Sequence, residues 1–183
     1  MKNERAIQLL KVKERLFHAD ELASLWKIDN GNLLRVTLSR YVKKGILKRI
    51  YRGFYAIYDL KKIDPVKLGQ KAYHDYCYLS TESVLAKEGL ISPKINYITL
   101  IGQKPKRFEI ADNNYYVRQL KNEFLYNDTG IYQKNGVFLA SLERAIADLF
   151  YFNPNYYLDG AKNSLINWQK VKKIQNKIDY LKK

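Results

Sequence analysis

The first third of the chain shows helical spacing of apolar positions. Apolar residues at intervals of three and four predict a first helix over residues 4–16. A short second helix is expected to begin at His18 or Asp20, after which a turn leads into a third helix. That third helix runs over about residues 32–44 and stops at Gly45, a residue typical of helix C-termini.

Two β-rich runs follow the third helix. Residues 46–51 and 54–58 flank Arg52-Gly53, a pair typical of a tight hairpin turn. The predicted elements thus follow one another as helix, short helix, turn, longer helix and hairpin. This is the order found in a winged helix-turn-helix. We therefore predict a domain of this kind over residues 1–60, with the third helix for recognition and the hairpin as the wing.

The rest of the chain predicts an α+β domain over residues 65–183, after a charged break that ends at Pro65. Helices are expected at 66–76, 80–89 and 140–152, and strands at 77–79, 96–101, 106–111, 115–120, 124–126 and 137–139. A lysine-rich amphipathic helix begins at Ala161. The expected fold class is thus α+β: an N-terminal winged helix-turn-helix, a small mixed α/β domain and a C-terminal basic helix.

The third predicted helix has one apolar and one polar face. Leu34, Leu38, Tyr41 and Val42 fall on the side that would be buried. The other face is small, polar and cationic, as entry into the major groove requires, and the wing adds cations for phosphate or the minor groove. The candidate DNA-binding residues are Asn32, Arg35, Val36, Ser39, Arg40, Lys43, Lys44, Lys48, Arg49 and Arg52. Val36 would touch a thymine methyl or pack at the helix edge.

The charge distribution supports a polyanionic partner. The 183 residues carry a formal net charge of +15, which divides into +8 over residues 1–58, +1 over 59–160 and +6 over 161–183. Four of the nine arginines lie in the acid-free window 35–52. Codon bias on solvated faces would explain lysine richness, but arginine has the planar fork that suits phosphates and guanine edges. Duplex DNA is therefore the expected partner.

The sequence predicts no catalytic residue, metal site or cofactor. The single cysteine, Cys77, excludes an intramolecular disulfide and a cysteine-rich zinc site. No glycine-rich phosphate loop occurs, and Glu143, Arg144 and Asp148 fit a capping or ion-pair arrangement better than an acid–base pair. Neither a signal peptide nor an apolar run of membrane-spanning length is evident, so we expect a cytoplasmic protein without a membrane partner.

Two features leave alternatives open. The sixteen tyrosines are expected to be half-buried with their hydroxyls at the surface, the alternative being a platform on which bases stack. The basic C-terminal helix would pack on the body of the protein with its lysines in water. Phosphate contact, partner docking and binding at a membrane surface are the alternatives for that helix.

Residues 38–55, which run from Leu38-Ser39-Arg40-Tyr41 through the hairpin, resemble the recognition helix and wing of AbiEi-type antitoxins. Residues 78–90, which begin Tyr78-Leu79-Ser80-Thr81-Glu82-Ser83, resemble the start of that family's second domain, and residues 98–102 and 141–149 fit its later pattern. The resemblance implies a bacterial antitoxin of a type IV toxin–antitoxin (abortive infection) system in phage defence. It implies a transcriptional repressor that binds repeats in its own operon's promoter. A monomer or a homodimer is expected, because a two-fold operator would be bound by a dimer or by two monomers side by side. The toxin would be nucleotidyltransferase-like and countered without a stable complex.

Three other functions remain open at the level of sequence. The winged helix would serve as a protein-interaction module if its cations bound an acidic protein. The chain would be an orphan transcriptional regulator if no toxin gene lay beside its own. A nuclease or nucleotidyltransferase-like enzyme over residues 65–152 would require clustered carboxylates, which the sequence does not display.

Overall fold

The structure is a computed structural model that describes residues 4–57, 59–94, 96–158 and 164–180. The chain divides into two compact units, residues 1–64 (the first unit) and 65–183 (the second unit). The first unit has a three-stranded sheet and the second a six-stranded sheet. Helices accompany both sheets, which confirms the α+β class. Within the described ranges, none of the helices has the length and apolar character needed to cross a bilayer.

The first unit alternates helices with very short strands. Its elements are α1 (Glu4–Lys11), β1 (Leu16–His18), α2 (Ala19–Trp26), α3 (Gly31–Lys43), β2 (Lys48–Tyr51) and β3 (Phe54–Ala56). The strands lie in the order β1-β3-β2, and both pairings are antiparallel. The apolar sides of all three helices meet in one core, formed by Leu9, Phe17, Leu22, Trp26, Ile28, Leu38, Tyr41, Leu47 and Tyr55.

The first helix is shorter than the sequence predicts, because its last apolar residue belongs to a strand. Leu16 pairs with Ala56 across β1 and β3. The Glu14 carboxylate accepts hydrogen bonds from the backbone N–H groups of Arg15 and Leu16, at 2.7 and 3.1 Å. A side chain that captures backbone donors in this way competes with continuation of the helix. The prediction of a helix over 4–16 was therefore wrong beyond Lys11.

Both ends of α3 are set by local chemistry. The Asn30 side chain caps the helix by accepting a hydrogen bond from the Leu33 N–H at 3.0 Å. Gly45 follows the C-terminus with a φ of +69°, a conformation that favours glycine. The hairpin turn at Gly53 is held near α2, since the Gly53 carbonyl accepts from the Ala19 N–H at 2.8 Å.

The second unit packs helices against a mixed sheet. Its helices are α4 (Pro65–Tyr73), α5 (Glu82–Lys87), α6 (Asn122–Leu125), α7 (Leu142–Phe152) and α8 (Trp168–Ile178). Its strands are β4 (Cys77–Leu79), β5 (Ile98–Gly102), β6 (Lys106–Ile110), β7 (Asn113–Gln119), β8 (Ile131–Lys134) and β9 (Val137–Ala140). The order is β6-β7-β5-β4-β9-β8, with parallel pairing of β5 with β7 and of β4 with β9.

Several predicted elements of the second unit need correction. The predicted strand 124–126 is wrong, because Phe124 and Leu125 lie buried in α6. Strand β8 was not predicted, and β7 begins at Asn113 instead of at the predicted residue 115. The expected start of the basic helix at Ala161 lies outside the described residues.

Helix α8 confirms the amphipathic pattern over the part of the tail that the structure describes. Val171, Ile174 and Ile178 of this helix are buried, whereas Leu165, which precedes it, is 64% exposed. An ion pair joins Lys170 on α8 to Glu143 on α7, with 3.1 Å between Nζ and Oε2. The simplest interpretation of this helix, with its apolar face packed and its lysines in water, therefore agrees with the structure.

Gly69 on α4 allows the helix to approach the ring of Tyr115 on β7. A Cβ atom at this position would overlap that ring. We expect Gly69→Ala to lower the free energy of unfolding by about 1–3 kcal/mol, as overpacking does. Gly31→Ala is the matched control, because nothing lies within 4 Å of the position that its Cβ atom would occupy and helix formation favours alanine by up to about 1 kcal/mol. Urea unfolding measures both, and equal stability of the two variants would contradict the expectation.

Candidate nucleic-acid interface

The exposed side of α3 and the adjoining hairpin carry the predicted DNA-binding residues. All ten have exposed side chains in the structure: Asn32, Arg35, Val36, Ser39, Arg40, Lys43, Lys44, Lys48, Arg49 and Arg52. Leu38 and Tyr41 are buried on the opposite side, together with Thr37, which the sequence did not single out. The division of α3 into two faces therefore agrees with its hydrophobic pattern.

A groove of about 550 Å³ runs between α3 and the β2–β3 hairpin, and we call it the first groove. Its polar lining comes from Arg35, Ser39, Lys43, Arg49 and Arg52, and its apolar lining from Ala19, Leu34, Leu38, Val42 and Tyr55. Four of these side chains are cationic, and none of the lining residues is acidic. The groove therefore combines an apolar floor with a cationic rim, an arrangement that attracts phosphate.

A second groove, of about 530 Å³, lies on the other flank of α3 and is called the second groove here. Arg40 and Lys44 line it together with Arg5 of α1 and Lys27, which follows α2; Glu4 is its acidic member. The structure thus does not bring all of the predicted cations together. Arg5 and Lys27 were not predicted as members of this site, because only the packing of α1 and α2 against α3 places them beside Arg40.

The ridge of α3 between the two grooves is largely free of charge. Asn32 and Val36 lie on it at helical spacing, and Val36 is 42% exposed. Leu33 is 48% exposed beside them and was not predicted as a surface residue. Amide and aliphatic side chains on such a ridge are able to approach base edges closely, because they carry no charge that would have to lose its water.

The hairpin separates its two cationic strand residues. Arg49 pairs with Tyr55 and Lys48 with Ala56, and neighbouring strand residues point to opposite faces. Arg49 accordingly lines the first groove, while Lys48 projects from the other face of the hairpin. The register shifts between Arg49 and Tyr51, which bends the strand next to the turn that carries Arg52. Partial burial raises the pKa of Tyr51 above its usual range, although the residue is 38% exposed.

Comparison with known proteins finds no match, either to a protein-family model or to a curated protein. Among the described residues, His, Cys, Asp and Glu form no group of three or more that would hold a metal ion. The chemistry of this surface is that of a largely uncharged ridge between two cationic grooves.

Proposed function

We propose that the first unit is a winged helix-turn-helix that binds duplex DNA, with α3 in the major groove and the β2–β3 hairpin as the wing. The observation that carries the proposal is the exposed α3 ridge with a cationic groove on each flank. A helix seated in the major groove, which is about 12 Å wide, has a phosphate backbone on either side. The β2–β3 hairpin follows α3 and completes an antiparallel sheet of order β1-β3-β2, which supports the same assignment.

The positions of the side chains suggest a division of roles. Asn32, Val36 and Ser39 would face base edges, and Arg35 and Arg40 would bracket them from the two flanks. A bidentate arginine–guanine contact would be available to either arginine. The cations of the hairpin, Lys48, Arg49 and Arg52, would contact phosphate or the minor groove.

We further propose that the chain is a type IV antitoxin and a repressor of its own operon. The support for this part is the resemblance of residues 38–55 and 78–90 to AbiEi-type antitoxins. The DNA target would be the promoter repeats, and the counterpart a nucleotidyltransferase-like toxin without a stable complex. A monomer or a homodimer would fit repeats of this kind.

Binding of the purified chain to its own promoter tests the proposal. Fluorescence anisotropy with the promoter duplex should give specific affinity at least about 10³-fold tighter than for a scrambled duplex of equal length. Toxicity of the neighbouring gene, relieved by co-expression of this chain, tests the antitoxin part separately. A stoichiometric complex with an acidic protein, with weak binding to both duplexes, would instead favour the interaction module.

The salt dependence of promoter binding distinguishes phosphate contacts from base contacts. Lys48→Ala, Arg49→Ala and Arg52→Ala should each make the negative slope of log K against log salt shallower by about 0.9, because each removes one phosphate contact. Lys13→Ala is the control, since Lys13 is exposed and lines neither groove. The slope is measured by titration at several salt concentrations, and an equal change in Lys13→Ala would contradict specific contacts by the hairpin.

A further inference from the structure

Aromatic and cationic side chains alternate across one face of the sheet in the second unit. Tyr97 precedes β5, Arg107 lies on β6, and Tyr116 and Arg118 lie on β7. The row continues to Phe152 at the end of α7. Because paired residues on neighbouring strands share a face, the pairing of Arg107 with Tyr116 places these two side by side. We call this set the aromatic–cation row.

The distances along the row are those of cation–π contacts. The guanidinium carbon of Arg107 lies 5.7 Å from the ring centre of Tyr97 and 4.6 Å from that of Tyr116. The guanidinium carbon of Arg118 lies 5.6 Å from the Tyr116 ring and 5.3 Å from the Phe152 ring. All four distances fall within the range of about 6 Å over which such contacts act. The rings and guanidinium groups thus hold one another in a defined order before any ligand arrives.

The outer end of the row is open to solvent and adjoins a polar pocket. Tyr97 is 39% exposed and Arg107 is exposed. The pocket has a volume of about 500 Å³ and is lined by Asn96, Tyr97, Ile98, Asp112, Asn113 and Asn114. Amide and carboxylate groups therefore surround one exposed aromatic ring, in a volume typical of small-ligand sites.

The inner end of the row contains unmet hydrogen-bonding groups. Arg118 forms an ion pair with Glu82, yet the buried Arg118 Nε and Glu82 Oε2 have no hydrogen-bond partner among the described residues. The neighbouring Thr81 has a buried hydroxyl that likewise has no partner within the described ranges, and a φ of +51°. Unpartnered buried groups call for an explanation, and strained residues concentrate at functional sites. The unpartnered groups and the strained residue therefore indicate that this end of the row has a functional role.

We propose that the aromatic–cation row binds unpaired nucleotides. A base would stack on the ring of Tyr97 and on the guanidinium plane of Arg107, as bases stack in single-strand sites. The amides of the adjoining pocket would hydrogen-bond the base edge, and the arginines would attract the phosphates. An acidic peptide would satisfy the cations but would leave the exposed ring and the amides without a matching group. This site is independent of the duplex interface on the first unit.

The test uses the full chain with Arg35→Ala, Arg49→Ala and Arg52→Ala as background, so that the first unit contributes little. The probe is a fluorescein-labelled oligo(dT) of about twelve nucleotides, measured by anisotropy. The double variant Tyr97→Ala/Arg107→Ala should bind at least about tenfold more weakly, whereas Tyr97→Phe should retain affinity because it keeps the ring. The matched control is Tyr132→Ala/Lys134→Ala on the edge strand β8, where Tyr132 is 46% exposed. Circular dichroism and melting temperature verify that each variant is folded.

An abasic strand of the same length separates stacking from attraction between charges. It should bind at least about tenfold more weakly than oligo(dT), because stacking requires bases. Competition by thymidine monophosphate would identify a free nucleotide as the ligand, and its failure to compete would identify a strand; both outcomes support the site. Equal binding of the abasic strand, an equal loss in the Tyr132/Lys134 control, or binding of polyglutamate in place of oligo(dT) would overturn it.

Discussion

Replacement of Arg35, Arg40 and Arg52 together by alanine is expected to remove most of the sequence-specific binding to the promoter that we propose as the target. The three side chains occupy different places: Arg35 and Arg52 line the first groove, and Arg40 lines the second. A base-reading arginine contributes about 1–3 kcal/mol of discrimination. Because Arg35 and Arg40 lie on opposite flanks of α3, their losses should add. Affinity for the promoter should therefore fall by at least about 100-fold, measured by anisotropy at fixed salt.

A charge-matched control separates direct contacts from the general field of the protein. Lys11, Lys13 and Lys61 are exposed in the first unit and line neither groove. Their replacement by alanine removes the same three charges and should weaken promoter binding by less than about fivefold, since exposed charges act at long range through screening salt. An equal loss of promoter affinity in both triple variants would show that binding depends on the net positive charge and not on contacts by these arginines. Unchanged promoter binding by the arginine variant would contradict the proposal that α3 reads the DNA sequence.

Helix α3 was predictable because its determinants are local. The Asn30 cap, the Gly45 stop and the spacing of Leu38 and Tyr41 all lie within one short segment. Local signals of this kind specify where a helix begins, where it ends and which side is buried. The exposed set on α3 followed from the same periodicity.

The grooves and strand β1 were not predictable, because they depend on residues distant in sequence. Strand β1 is three residues long and exists through its pairing with β3, so no alternation marks it. Arg5 and Lys27 enter the second groove only through helix packing. The short apolar run at Phe124 and Leu125 is equally compatible with a strand and a helix when periodicity alone is considered.

The sequence also indicated an ion pair on α7 but not its surroundings. Arg144 and Asp148 are fully buried, with 2.8 Å between Nε and Oδ1. Asp148 also accepts hydrogen bonds from the hydroxyls of Tyr78, Ser80 and Tyr180. Burial raises the pKa of Tyr78 and of Tyr180, and the charge of Asp148 raises both further, so these hydroxyls stay protonated as donors.

The guanidinium group of Arg144 connects segments that are far apart in sequence. Beyond Asp148, it donates to the hydroxyls of Tyr78 and Tyr180 and to the backbone carbonyls of Phe124, Asn127 and Thr129. Burial opposes its charge, but the charge of Asp148 raises the pKa of Arg144 above its usual range. A charge that is paired and hydrogen-bonded in this way is tolerated in the interior only while its partners remain.

Asp148→Asn is expected to lower the free energy of unfolding of the second unit by about 3–5 kcal/mol. The substitution preserves shape but leaves the buried guanidinium of Arg144 without its counter-charge. Arg144→Met should be similarly costly, because it leaves the carboxylate of Asp148 buried beside unpaired carbonyls. Since folded domains are stable by only about 5–15 kcal/mol, either change brings the second unit close to unfolding. Urea denaturation followed by circular dichroism measures both.

The exposed ion pair between Lys170 on α8 and Glu143 on α7 provides the control. Lys170 is 53% exposed where it meets Glu143, so Lys170→Ala should cost no more than about 1 kcal/mol. The double variant Arg144→Met/Asp148→Asn should be less destabilised than the sum of its single changes, because it buries no unpaired charge. Additive losses in that cycle, or a Lys170→Ala variant as unstable as Asp148→Asn, would show that packing volume rather than charge pairing holds α7 against β4. Smaller losses in both single variants would mean that water replaces the missing partner, which the fully buried position of Asp148 argues against.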